Sequence, residues 1–284
     1  MCSANCNARS SRLKPRARWR KGNEDNMTQT PSNLTIGILQ TGQNRADLKG
    51  RFDEYPMMFD RLLNDQAGPR WTKLETYRVL DGAFPQHIRA CDGYIVTGSA
   101  AGVYEGHSWI APLMAFIRGA YDADIPLLGI CFGHQAIAQA LGGAVVKWPD
   151  GWGVGVKHTR FERPPVAKAE LPEDAVVKLV YFHQDQVTRL PEGAERLASS
   201  DFCDEAGFTL CNSDGVQTVL CLQGHPEFDA VYATALLDSI ESKVGTYRTK
   251  VARASLAKKT DTPLVADWIK QFFTTAAQGR GWAA

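Results

Sequence analysis

Pro126-Leu-Leu-Gly-Ile-Cys131-Phe-Gly-His-Gln135 is the stretch on which the fold turns. Its first five residues form a short apolar run, as expected of a strand buried on both faces. A helix is predicted over Gln135 to Leu141, closing at Gly142-Gly143, where glycine admits a left-handed turn. Between strand and helix stands Gly129-Ile-Cys131-Phe-Gly133, a nucleophile-elbow pattern with cysteine in place of serine. The glycines leave room for a sharp turn that lifts the side chain into an open site. A thiol at a helix N-terminus meets the positive end of the dipole, which favours the thiolate. The N–H of Phe132 is placed to donate to a developing oxyanion.

Outward from this point the chain alternates apolar runs with amphipathic stretches, the signature of a mostly parallel sheet covered by helices. Strands are predicted at Leu34 to Leu39, Lys73 to Val79, Gly93 to Thr97 and Pro126 to Ile130. Helices are predicted at Tyr55 to Leu63, with Met57, Met58, Leu62 and Leu63 facing the core, and at Ile110 to Ala123. From Ala144 to Leu222 short β-like runs dominate: Val154 to His158, Val176 to Phe182, Phe208 to Cys211 and Val216 to Leu222. Ser213-Asp-Gly215 between the last two is a hairpin signal. Helical patterns return at Tyr232 to Ile240 and Leu264 to Phe273. The fold class expected is α/β, a three-layer domain over residues 34–284 with a central mixed sheet.

Composition excludes several functions. The 284 residues are 44% hydrophobic and 22% charged, with a net charge of +1, so no global field draws the chain to nucleic acid or to an anionic membrane. No apolar stretch approaches the roughly 20 residues of a membrane helix. Seven cysteines, without C-x-x-C pairs or zinc-finger spacing, argue against a disulfide framework and fit a reducing, cytoplasmic setting. No cofactor or metal is indicated, since neither an H-x-x-x-H nor a clustered-carboxylate pattern occurs. Met1 to Asn26 differs from the rest: seven basic residues oppose only Glu24 and Asp25, with almost nothing apolar. This head, within an extension spanning 1–33, reads as a disordered leader upstream of a start at Met27, with a transit peptide or basic arm as alternatives.

A cysteine nucleophile needs a base in fixed orientation. His225, in Gly224-His-Pro-Glu227 just after an apolar run, is the best of six histidines, because proline stiffens a loop that presents imidazole and carboxylate together. His134 is expected to point away from the thiol and serve packing. For His183, a role at a ligand and a role in turn chemistry stand level on the residues alone.

With Ala138-Gln-Ala-Leu-Gly-Gly143 and His225-Pro-Glu227, the elbow segment resembles the class I (triad) glutamine amidotransferase family over about Leu34 to Phe228. Val96-Thr-Gly-Ser99 through Val103-Tyr-Glu105 and Trp109 look most like the stand-alone, GMP-synthase-like domains. The resemblance implies a γ-glutamyl thioester on Cys131, a proton shuttle at His225 and an orienting carboxylate at Glu227. It implies an oxyanion hole from Phe132 and the Gly98-Ser99 turn, and substrate contacts from Gln135, His183 and Asp185. The substrate would be glutamine or another small γ-glutamyl compound, and a separate synthase or ligase chain would take the ammonia. Two departures alter the pocket walls without removing a catalytic atom: Gly224 replaces a customary aromatic residue, and Gly98-Ser99-Ala100 replaces Gly-Gly-Pro. The second makes the oxyanion turn flexible by composition. Three readings stay open: an amidotransferase, a γ-glutamyl hydrolase or peptidase working alone, and a non-catalytic regulator on the same fold.

Overall fold

The computed structural model describes residues 33–64, 69–167 and 169–279. The basic head and its Cys2 and Cys6 lie outside them. In chain order the elements are β1 (Thr35–Leu39), α1 (Tyr55–Leu63), β2 (Lys73–Tyr77), β3 (Gly93–Val96), α2 (Ile110–Asp122), β4 (Leu127–Ile130), α3 (Phe132–Ala140), β5 (Ala144–Lys147) and β6 (Gly153–Phe161). There follow β7 (Val176–His183), β8 (Asp185–Arg189), β9 (Glu195–Ser199), β10 (Gly207–Cys211), β11 (Gln217–Leu222), α4 (Ala230–Ser239), α5 (Glu241–Val244), α6 (Thr246–Ser255) and α7 (Thr262–Gly279). Two single 3₁₀ turns precede β3.

The main sheet runs β2-β1-β3-β4-β11-β10-β9-β6-β7. The β2, β1, β3, β4 and β11 side is parallel, and β10, β9, β6 and β7 continue it antiparallel. A mixed, mostly parallel sheet with helices on both faces is the α/β architecture expected. β3 and β4 are buried at every position, which explains their continuous apolar runs. One face packs on α1 and α7 through Phe59, Leu63, Trp268 and Phe272. The other packs on α2 and α3 through Leu113, Ile117, Phe132 and Ile137. A third cluster, centred on Phe228 and Tyr232, joins α1, β6, β7 and α4 beside the ends of the parallel strands.

Several local expectations need correction. In α1, Met57 is 52% exposed; the buried face is Tyr55, Met58, Phe59 and Leu63, a stripe spaced by three and four residues from which position 57 falls off. α3 starts at Phe132, directly after the cysteine, rather than at Gln135. β2 stops at Tyr77 because the chain enters a 3₁₀ turn at Val79. The β10–β11 hairpin matches its turn signal: Gly215 has φ +76°, and the Asn212 side chain accepts from the N–H groups of Asp214 and Val216. Among the described residues no helix is long and apolar enough to cross a membrane.

Candidate active site

The site lies at the C-terminal ends of β1, β3, β4 and β11, where parallel strands of α/β sheets present their loops. Cys131 follows β4 with φ +53° and ψ −104°, a conformation costing a residue with a Cβ about 1–3 kcal/mol. Its N–H donates to Leu222 O at 2.9 Å, which ties the elbow to β11. The flanking glycines are demanded by contact. A Cβ on Gly133 would stand 2.0 Å from Val96 O, and one on Gly129 would stand 2.7 Å from the Gly133 backbone. As N-cap of α3, Cys131 sits beside the free N–H groups of the helix's first turn, Phe132 among them. The thiol can donate to Phe182 O, 3.8 Å away.

His225 follows β11 and is pinned by its N–H to Val180 O at 2.7 Å. Its Nδ1 lies 2.7 Å from Glu227 Oε1, both residues being buried. The ring lies flat on Phe228, with centroids 4.0 Å apart and planes 7° from parallel. Burial alone would push this imidazole down, but attraction to Glu227, then to the nearby Cys131 sulfur, holds it up at about 10. Its proton therefore stabilises the fold fully below the ordinary value of 6.5, a contribution lost as pH climbs through 10. We expect the His225 imidazolium to persist above pH 8 by NMR in the native protein. In Glu227→Gln its titration should move to lower pH, since only the attraction to Cys131 then opposes burial; an unchanged titration would mean that Glu227 does not hold the charge.

The turn after β3 lies directly over this pair. A Cβ on Gly98 would stand 3.0 Å from His225 Cε1 and 3.8 Å from Cys131 Cβ. Hydrogen bonds from neighbouring side chains hold the turn in this conformation. Gly98 O accepts from Thr97 Oγ1 at 3.1 Å and Thr41 Oγ1 at 3.3 Å, and Ala101 N–H donates to Ser99 Oγ at 3.2 Å. Thr41 and Thr97, just past β1 and β3, thus tie the Gly98 carbonyl in place. At Gly224, the space of an aromatic ring is already taken: a Cβ there would come within 2.9 Å of Leu179 and 3.0 Å of Tyr181.

Gln135, His183 and Asp185 converge on one another. Gln135 Nε2 donates to Asp185 O at 2.8 Å and Gln223 Oε1 at 3.1 Å, while His183 Nδ1 donates to the same Asp185 O at 2.9 Å. Burial pushes the His183 imidazole down to about 4, leaving it neutral. The Asp185 carboxylate, raised by burial, accepts from Tyr104 O–H at 2.9 Å. His134 is fully buried beside Phe208, with centroids 5.2 Å apart, and burial drives it to about 3; it is packed away as expected. Burial raises the thiols of Cys91, Cys203 and Cys221. Among the described residues no cluster of His, Cys, Asp and Glu could hold a metal.

Sequence reading gave no role to Tyr104, Phe182, Phe228 or Lys147, all of which line the cavity of about 500 Å³ above Cys131 and His225. Tyr104 stood within the quoted Val103-Tyr-Glu105 segment, so its position was visible although its partner Asp185 was not. Phe182 closed a predicted β-like run and Phe228 the resembling stretch, neither with a role at the site.

An elbow cysteine close to a carboxylate-bound histidine, under a glycine turn at the strand ends, is an arrangement suited to nucleophilic chemistry. The chain belongs to the class I glutamine amidotransferase family: the sequence model "Glutamine amidotransferase class-I" matches residues 72–235. It is 30% identical over 201 residues to gamma-glutamyl peptidase 4 of Arabidopsis thaliana, covering 68% of this chain and 75% of that protein. It is 34% identical over 200 residues to the glutamine-hydrolyzing GMP synthase of Ralstonia pickettii, covering 64% of this chain but only 35% of the synthase. A crystal structure of a glutamine amidotransferase from Thermotoga maritima superposes with a TM-score of 0.64 at 18% identity, over 85% of this chain and 99% of that one.

Proposed function

We propose that this protein hydrolyses γ-glutamyl amide bonds through a thioester on Cys131, releasing glutamate and an amine larger than ammonia. The observation that carries the choice of leaving group is the cavity. About 500 Å³ is the room of a drug-sized ligand, typically roughly 300–1,000 Å³, rather than of one amino acid. The likeness to a gamma-glutamyl peptidase supports the same reading.

In the reaction, the Cys131 sulfur attacks the γ-carbonyl carbon, and the N–H groups of Phe132 and the Gly98-Ser99 turn receive the oxyanion. The C–N bond breaks as His225 gives its proton to the departing nitrogen, leaving the acyl group on sulfur. Water then attacks the thioester, His225 takes the water's proton, the C–S bond breaks and glutamate leaves. Glu227 orients the imidazole and favours its charged form but moves no proton. Glutamate release from a γ-glutamyl dipeptide tests the proposal. His225→Ala should lower kcat by about 10⁴-fold, whereas Glu227→Gln should retain measurably more activity. Near-normal turnover in His225→Ala would place the base elsewhere.

The match to GMP synthases favours one second reading, a glutaminase supplying ammonia to a separate synthase chain. That reading requires glutamine to be the better substrate, and turnover to rise when the partner is added.

A further inference from the structure

The cavity has two unlike arms, and the proton donor decides which of them takes the leaving amine. On one side of Cys131 the wall is polar. Asp185 is tied there to Tyr104, Gln135 and His183, and Lys147 is its register partner on the β5–β8 ladder. That side offers one charge of each sign, complementary to the ammonium and carboxylate of a γ-glutamyl head. On the other side stands His225, which must protonate the departing nitrogen, so the amine has to leave along the face where the imidazole lies. That face is apolar. His225 is stacked on Phe228, which packs edge-on against Tyr232 at 4.7 Å and lies 6.4 Å from Phe182 by ring centroids. Trp152, Leu236 and Ile240 extend the same wall into the cavity.

The rim of this arm is cationic. Lys243 on α5 lines it and has no carboxylate within ion-pair distance among the described residues. Arg45 lines it from the loop after β1, which is fixed over the arm by Tyr232 O–H donating to Asn44 Oδ1 at 2.9 Å. Among the described residues Arg45 pairs with Asp47 alone, at 3.4 Å, where both groups are exposed and the bond is weak. The acidic groups of the cavity, Glu105 and Asp185, belong to the loop after β3 and to β8.

We infer that the leaving amine is an amino acid or short peptide whose first residue is aromatic or large and apolar, with its carboxylate received by Lys243 and Arg45. This rests on the proposed γ-glutamyl hydrolysis and specifies its substrate. The apolar wall would take the side chain out of water, as the polar arm would not, and the two cations would neutralise an end that ammonia and simple amines lack.

Four probes test the inference: γ-glutamyl-phenylalanine, γ-glutamyl-glycine, glutamine and γ-glutamyl-phenethylamide, the last lacking the carboxylate. The kcat/KM for γ-glutamyl-phenylalanine should exceed that for γ-glutamyl-glycine by about tenfold and that for glutamine by about a hundredfold. Leu236→Ala should narrow the phenylalanine-to-glycine ratio several-fold. Arg45→Ala with Lys243→Ala should cut the ratio of γ-glutamyl-phenylalanine to γ-glutamyl-phenethylamide by about five- to tenfold. Glutamine or γ-glutamyl-glycine hydrolysed as fast as γ-glutamyl-phenylalanine would overturn the inference and leave the hydrolase standing, as would ratios unmoved by the variants. If the folded protein cleaved none of the four, the hydrolase reading would fall, and this one with it.

Discussion

Cys131→Ser should abolish glutamate release, by at least about 10⁴-fold, while leaving the fold unchanged. The sulfur can form the acyl intermediate as a thiolate, whereas a serine there would first have to lose a tightly held hydroxyl proton. Serine fits the volume at Cys131 and faces the same backbone strain, so the unfolding free energy should stay within about 0.5 kcal/mol of the parent. A diazo-ketone glutamine analogue should label Cys131 in the parent protein and no other cysteine. The buried thiols of Cys91, Cys203 and Cys221 are held protonated by desolvation, with Cys203 pushed up to about 12. Labelling at any of them, or residual turnover above a few per cent in Cys131→Ser, would refute the assignment.

Gly133→Ala should be strongly destabilising, its added carbon making the shortest contact of any described glycine. Its Cβ would lie 2.0 Å from the carbonyl oxygen and 2.7 Å from the carbonyl carbon of Val96, backbone atoms locked in the centre of the sheet. Neither side can give without separating α3 from β3, so a loss above about 4 kcal/mol, or failure to fold, is expected. Gly106→Ala is the matched control: nothing lies within 4 Å of its added carbon, and its stability should be nearly unchanged. Equal denaturant midpoints for the two variants would show that the elbow is looser than the contacts imply.

What could be read from the sequence follows from how each element is buried. β3 and β4 are covered on both faces and appear as unbroken apolar runs, and the cysteine between β4 and α3 was visible from its glycines. β5, β8 and β9 escaped notice because each buries only one or two residues and exposes Lys147, Arg189 or Glu195. α6 escaped for a similar reason: Thr249 and Ala252 are its buried residues, while Tyr247 and Val251 are exposed. Its place is marked instead from β6, where Gly155, at φ +84°, has no Cβ because Ala252 and Ser255 occupy that space. His225 and Glu227 were legible as a pair because one short loop carries both. The bond from Tyr104 to Asp185 joins residues 81 apart in sequence, and no local pattern announces such a pair.

The adjacency of β4 and β11 also determines when the thiol becomes dangerous. The strands are neighbours in the sheet, yet β5 to β10 are synthesised between them. A ribosome adding residues from the N-terminus exposes Cys131 well before His225 exists, and the two can meet only after that intervening stretch has paired. A nascent or truncated chain therefore carries a cysteine without its base, and chemical competence arrives late and all at once. Under the proposed mechanism, this order of synthesis keeps the cysteine apart from its histidine until β11 has joined the sheet.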